Sequence, residues 1–302
     1  MDGIIVMDKP EDFTSFDMVA KMRKLLGTRK VGHAGTLDPM ATGVLPIFVG
    51  RATKCCDILP DQSKRYTATF ALGYTTDTLD ATGRVLTRNP ASVTREQMEA
   101  ALTKFRGQIM QLPPMFSAIQ INGKRLYDLA RQGIEIEREK RPVTISVLNM
   151  LDFDEENQSC RIDVDCSKGT YIRTLCADIG EELGCGATMT ALRRTRAAGF
   201  SLEESLTLEE AEKLSAEGTL AERLVPVEQA FTSLPKVMLY DKQEGMYRNG
   251  VKLDLGRIKD FPYEAPQVGE VRVYGEQGGF LGISCPDWET KELRLKKLFS
   301  IL

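Results

Sequence analysis

A chain of 302 residues that is 42% hydrophobic and 27% charged can bury a substantial core, and its length suits one large domain with a small one. No apolar run approaches the ~20 residues of a membrane span, and residues 1–10 lack the basic start and long apolar stretch of a signal peptide, so a cytoplasmic protein is expected. Seven cysteines without a Cys-x-x-Cys pair and a single histidine support neither a disulfide framework nor a zinc or His-rich metal site, and a net charge of −3 leaves any nucleic-acid affinity to local basic faces.

Gly3-Ile4-Ile5-Val6-Met7 reads as a short strand ending at Asp8-Lys9-Pro10. From Ser15, an N-cap by its type, apolar residues recur at Phe16, Val19, Met22, Leu25 and Leu26, with Gly27 as the stop; this is an amphipathic helix with Lys21 and Lys24 outward. The basic Arg29-Lys30 then leads into Val31-Gly32-His33-Ala34-Gly35-Thr36-Leu37-Asp38-Pro39-Met40-Ala41-Thr42-Gly43-Val44-Leu45-Pro46. Glycines surround one carboxylate there, and Pro39 pushes Asp38 away from helical backbone, so Asp38 is presented from a shaped loop. The apolar run 44–49 anchors it as a buried strand or a helix start. Taken alone, an Asp-Pro turn whose carboxylate caps a neighbouring N–H is the commoner reading.

The run from Gly32 to Pro46 closely resembles the catalytic motif of the TruB-type tRNA pseudouridine synthases. The resemblance makes Asp38 the catalytic residue and places Lys9-Pro10, the family's N-terminal motif, near the site. His33 is the only histidine, so Ser-His-Asp catalysis could run only through this loop.

Beyond the motif, residues 50–54 lead into a helix-like stretch, and residues 64–73 alternate as a strand with Tyr66, Ala68, Phe70 and Leu72 on one face. A strand tyrosine is commonly core; the resemblance makes Tyr66 the tyrosine that stacks on the target base. Residues 76–83 match the family's next motif and put Asp80 near the site, although their composition equally fits an acidic turn. Thr94 and Gln97 form a capping box for a helix through Met98, Ala101, Leu102 and Phe105. Residues 112–118 and 122–131, with Lys124, Arg125 and Tyr127, resemble the family's RNA-facing insertion; a short amphipathic helix of that composition needs no ligand.

Residues 160–166 alternate as another strand, and a helix runs from about Thr170 to Leu183. Arg173 sits in its first turn, where the helix dipole disfavours a cation, so an anionic partner is expected. In the resemblance that partner is Asp38, held by a bidentate guanidinium fork. Residues 191–196 carry three arginines, readable as a basic strand edge, and the resemblance makes Leu192 the apolar wall of the base pocket. Thr207 and Glu210 cap another helix. Residues 224–235, with prolines at both ends and little periodicity, read as a linker. Val237 to Tyr240, Val268 to Tyr274 and Phe280 to Ser284 follow as strands of a small β domain. The basic groups Lys21 to Lys30, Arg138 to Arg141 and Arg193 to Arg196 are each more commonly solvated faces than ligand sites.

The expected fold is mixed α/β (α+β), a pseudouridine-synthase domain over 1–230 on an antiparallel sheet and a PUA-like domain over 236–302. The resemblance implies a stand-alone synthase that isomerises uridine 55 in the TψC loop of tRNA without metal or organic cofactor. It implies Asp38, Tyr66 and Arg173 as catalytic residues, and His33, Lys9, Lys54, Asp80, Tyr171, Leu192, Lys64, Lys124, Arg125 and Arg141 as substrate contacts. Attack at ribose C1′ and attack at base C6 both remain open. The expected partner is the TψC stem-loop, with no membrane, no obligatory protein partner and a monomeric state. A guide-RNA-dependent synthase subunit and a non-catalytic tRNA-binding or folding factor are the alternative readings.

Overall fold

The structure, a computed structural model, describes residues 1–121, 123–240, 242–259, 261–262 and 269–299. Asn122 of the insertion and Val268 of the expected C-terminal strand therefore lie outside the described residues.

The apolar run after the motif is a strand, Thr42–Val49, buried along nearly its whole length. It pairs with Gly3–Lys9 from the N-terminus and with the short Val31–His33 that begins the motif. The sheet continues through Ala187–Ala197, Lys64–Leu72, Ser159–Cys166 and Arg141–Asp154 to Gly107–Gln111, nine strands in all with Phe200–Ser201 on the side of Ala187–Ala197. Every pairing is antiparallel except that of Thr42–Val49 with Ala187–Ala197, where Arg193 meets Thr42 and Arg194 meets Gly43. That one parallel contact joins the strand that follows the motif to the rest of the sheet.

The alternation read over 64–73 is realised, with Tyr66, Ala68, Phe70 and Leu72 buried on one face of Lys64–Leu72. The helices Arg95–Thr103 and Ile172–Glu182 cover that face through Met98, Leu102, Leu175 and Ile179. Capping boxes at Thr94 and Thr207 form as expected.

The first helix, Ser15–Leu25, differs from its reading. Thr14 is the cap, paired with Asp17, and Phe16 is 63% exposed with Arg23 over its ring. The apolar face turns on Met18, Val19 and Met22. Ser15 is released from capping, and its hydroxyl accepts the Leu37 N–H at 2.8 Å, tying the helix to the motif loop.

Residues 224–235 are no free tether. Val225 exchanges backbone hydrogen bonds with Ile4 at 2.8 and 2.7 Å, and the turn Val227–Phe231 buries Phe231 completely. Phe231 lies 6.4 Å from Phe280 and 6.1 Å from Phe299 between ring centroids, inside a cluster that also holds Ile4, Val44 and Phe48. Proline spacing suggested a linker; the two buried aromatic contacts override it. The C-terminal sheet runs Lys236–Met238, Val271–Tyr274, Phe280–Asp287, Glu292–Leu298, Leu253–Asp254 around Val237, Val273, Leu281 and Leu293. Glu292–Leu298 is a further strand that the apolar pattern does not mark, because charged residues occupy its exposed positions.

Phe231→Ala should lower unfolding free energy by about 3–5 kcal/mol in urea denaturation, since it empties a fully buried aromatic site joining both sheets. A loss below ~1 kcal/mol would mean that this ring does not hold them together.

Candidate active site

Asp38 leaves the motif loop beside the N-terminal turn of Ile172–Glu182, and Arg173 Nε reaches its Oδ2 at 3.0 Å. The expected bidentate fork is not formed. Instead the guanidinium is divided: Nη1 donates to the Thr78 carbonyl at 3.0 Å and lies 3.4 Å from Asp80 Oδ2, while Nη2 donates to the Phe116 carbonyl at 2.9 Å. Arg173 is only 6% exposed, so each of its donors needs such a partner. The anion expected to offset the helix dipole is therefore a pair of carboxylates. Asp80 belongs with the site rather than to a simple acidic turn; its other oxygen accepts from Thr78 Oγ1, Thr82 N–H and Thr82 Oγ1 at 2.8, 3.0 and 2.5 Å.

Asp38 remains reachable, its side chain 40% exposed. Desolvation by the surrounding protein pushes its carboxyl above the ordinary range; Arg173 and Lys9 oppose that push and the Asp80 charge adds to it. Beside it, Leu37, Met40, Tyr66 and Leu192 belong to one buried cluster. Burial pushes the Tyr66 phenol up to about 12, with Arg194 the main opposing charge. The phenol is thus protonated at neutral pH. Tyr171, the residue before the helix, is half-buried, and its backbone is gripped from both sides by Gln111: Tyr171 N–H donates at 2.8 Å and Gln111 Nε2 donates back to the Tyr171 carbonyl at 3.1 Å. Burial raises the Tyr171 phenol as well.

Lys9 is not a substrate contact. It is fully buried, and its ammonium donates to the carbonyls of Pro10, Phe13 and Pro39 at 2.7, 2.6 and 3.1 Å, leaving no hydrogen free. Desolvation lowers it to about 8. It clasps the loop one residue beyond Asp38. Lys54 does not join the site either; it donates to the Leu298 carbonyl at 3.0 Å, between the two sheets. His33, on Val31–His33, is half-buried with Nδ1 unpartnered, and burial lowers its pKa so that it is neutral near pH 7. Lys64 lies against Gly35 of the motif. Lys124 and Arg125 are exposed on the hairpin Gln120–Ile121/Lys124–Arg125, with Arg125 Nη1 on the Tyr127 hydroxyl at 2.8 Å, and Arg141 is exposed at the start of its strand. The structure thus brings together Asp38, Arg173, Asp80, Tyr66, Tyr171 and Leu192, while Lys54 and Arg125 make their hydrogen bonds to other partners and Lys124 is exposed.

The arginines at 193–196 are no solvated edge, since Ala187–Ala197 is an interior strand. Arg193 binds Asp8 at 2.6 Å, Arg196 binds Asp61 and Asp165 at 3.1 and 2.7 Å, and Arg194 is fully buried. Arg194 donates from Nε to the Val44 carbonyl at 2.7 Å and from Nη2 to the Gly35 carbonyl at 2.9 Å, bracing the motif from behind, opposite Tyr66 in register. A Cβ on Gly43, at φ 106°, would stand 2.1 Å from the Arg194 carbonyl oxygen, so only glycine lets the two strands close. Sequence reasoning missed Arg194, Ser15 and Gln111. Arg194 was findable, because it follows the buried Leu192 by two and so shares its face of the strand.

The fold matches two solved structures: a Cbf5-Nop10-Gar1 complex at TM-score 0.75 and 25% identity, covering 99% of this chain and 85% of that one, and an H/ACA RNP bound to a substrate RNA containing 2′-deoxyuridine at TM-score 0.73 and 23% identity, over 99% and 85%. The model for the TruB family pseudouridylate synthase N-terminal domain matches residues 23–172, and that for the tRNA pseudouridylate synthase B C-terminal domain matches 173–232. A tRNA pseudouridine synthase B from Stutzerimonas stutzeri (strain A1501) is 46% identical over 94% of this chain and 91% of its own length; one from Bacillus pumilus (strain SAFR-032) is 46% identical over 84% of each. The chain belongs to the TruB family of pseudouridylate synthases.

Because Asp80 raises the Asp38 carboxyl, Asp80→Asn should move the Asp38 titration midpoint to lower pH, extending its ionised range downward. Carbon-13 NMR of aspartate-labelled protein reads this directly, and an unmoved or rising midpoint would mean that Asp80 does not act on Asp38 by charge.

Proposed function

We propose that this chain is a stand-alone tRNA pseudouridine synthase that isomerises uridine 55 of the TψC loop. The observation that carries this is the Asp38–Arg173–Asp80 array beside Tyr66 and Leu192, within a chain of the TruB family. Curated relatives 46% identical are named tRNA pseudouridine synthase B, which favours a free-standing tRNA enzyme over a guide-RNA-dependent subunit. The reaction breaks the C1′–N1 bond, turns the uracil, and forms C1′–C5, with the C5 proton lost and N1 protonated. It is an isomerisation and consumes no oxidant or cofactor.

Asp38 acts as the nucleophile, at C1′ or at C6, and either route uses its ionised form. Arg173 keeps a desolvated carboxylate charged and aimed. Tyr66 and Leu192 sandwich the flipped base. Tyr66 also assists the final removal of the C5 proton. His33, neutral, fills the space that the base leaves, offsetting an unstacking cost of a few kcal/mol. Tyr171, Lys64 and Arg141 line the RNA path, and Lys124 and Arg125 grip the backbone from the insertion. We assign residues 1–230 to catalysis and 236–302 to a PUA-like RNA-binding unit. We place the enzyme in the cytoplasm as a monomer without an obligatory protein partner; among the described residues no helix is long and apolar enough to cross a membrane.

Asp38→Asn keeps shape and removes the nucleophile, so pseudouridine formation in a tRNA transcript should vanish. Filter-binding affinity should survive within about tenfold, ~1.4 kcal/mol, because phosphate contacts and stacking do not use that charge. Pseudouridine made by the variant overturns the assignment of Asp38, and wild-type binding without product favours the folding-factor reading.

Arg173→Lys replaces a fork serving four acceptors by a point charge, so kcat/KM should fall about 100-fold or more, ~2.7 kcal/mol of transition-state stabilisation. Near-normal turnover would remove Arg173 from the catalytic array.

A further inference from the structure

Behind the motif loop lies a second concavity of about 220 Å³, walled by Gly35, Ser63, Lys64 and Lys168. Its charges do not balance. A Cβ built on Gly35 would stand 3.0 Å from Lys64 Cε and 3.3 Å from Arg194 Nη1, so two cations press on one glycine. Arg194 Nη1 is buried, with the neutral Tyr66 phenol beside the guanidinium and, among the described residues, no carboxylate paired with it. Lys64 donates only to the Gln62 carbonyl, at 3.2 Å, and Lys168 is exposed nearby. Among the described residues none of these three cations makes an ion pair. The two carboxylates on the same wall are already matched, Asp61 by Arg196 at 3.1 Å and Asp57 by Lys297 at 3.2 Å. Burial, with the charges of Arg194 and Lys168, holds the Lys64 ammonium below its usual range even though Asp61 and Cys166 pull the other way. Like charges gathered in a partly buried place without a counter-ion are costly unless an anion comes to them.

We propose that Lys64, Lys168 and Arg194 form a phosphate subsite, which takes one phosphodiester of the RNA strand next to the target uridine. Lys64 and Lys168 contact the phosphate, and Arg194 acts from behind Gly35 as a fixed buried charge. The same guanidinium holds the Gly35 and Val44 carbonyls. A phosphate seated here therefore bears on the segment that presents Asp38, three residues along from Gly35, and sets the register of the strand in the cleft. This inference rests on the reading of the chain as an RNA-modifying enzyme.

The test uses stem-loop RNAs in which single linkages flanking the target uridine are replaced, one at a time, by neutral methylphosphonates. Binding and pseudouridine formation are measured with the wild-type protein, Lys64→Met and the exposed Lys168→Gln. One linkage should weaken wild-type binding about tenfold when neutralised, and the same change should have little further effect in Lys64→Met. Lys64→Met should also flatten the slope of log affinity against log salt by ~0.7. Lys168→Gln, at a position that bears on no core contact, should show the same coupling in part. Independent losses that multiply, or equal effects at every linkage, overturn the subsite. Product formed alongside such independence leaves the catalytic reading standing, whereas coupled binding without any product overturns that reading and keeps the subsite.

Discussion

A buried guanidinium is the fixed point of this molecule. Arg173, on the first turn of an interior helix, is nearly inaccessible to water, and an arginine so placed is tolerated only if its donors are all met. Three chain segments supply what it needs: the motif through Asp38, the turn through Thr78 and Asp80, and the insertion through Phe116. The cost of leaving any donor unmatched forces these segments to meet at one point. The active-site cleft is where they meet. Asp38 is the member of the array left substantially open, its side chain 40% exposed against 6% for Arg173 and for Asp80.

A second set of contacts makes the motif loop rigid from below. Lys9 spends its three hydrogens on carbonyls, one of them that of Pro39. Ser15 holds Leu37, and Arg194 holds Gly35 and Val44. Charged side chains here replace the hydrogen bonds that a loop away from regular structure would otherwise take from water. They thereby turn a glycine-rich segment into a fixed platform. Gly43 is required by the approach of the Arg194 backbone, and Gly35 by its backbone turn at φ 74°.

Charge is used unevenly. Many cations of a chain with net charge −3 are matched by its own carboxylates: Arg193 by Asp8, Arg65 by Asp163, Arg196 by two aspartates. Others, among them Lys64 and Lys168 near the loop, Lys124 on the hairpin and Arg141 at its strand start, make no ion pair among the described residues. Net charge was therefore a poor guide to the partner, because affinity for a polyanion depends on where unpaired cations lie.

The sequence by itself determined the local elements and the centre of the site. Alternation over 64–72 fixes a strand with Tyr66 inward, the Thr-x-x-Gln and Thr-x-x-Glu boxes fix two helix starts, and the glycine and proline pattern around Asp38 fixes a presented carboxylate. These depend on interactions within a few residues, which a linear pattern records. Only the tertiary structure decided that Phe16 faces out, that Lys9 is a buried clasp, that Arg173 divides its donors instead of forking on Asp38, and that Phe231 anchors the second sheet. Each of those outcomes turns on the burial of a group by residues distant in the chain. The physical reason is desolvation: whether a charge or ring is stabilised depends on what is packed around it, and that packing exists only once the strands and helices have met.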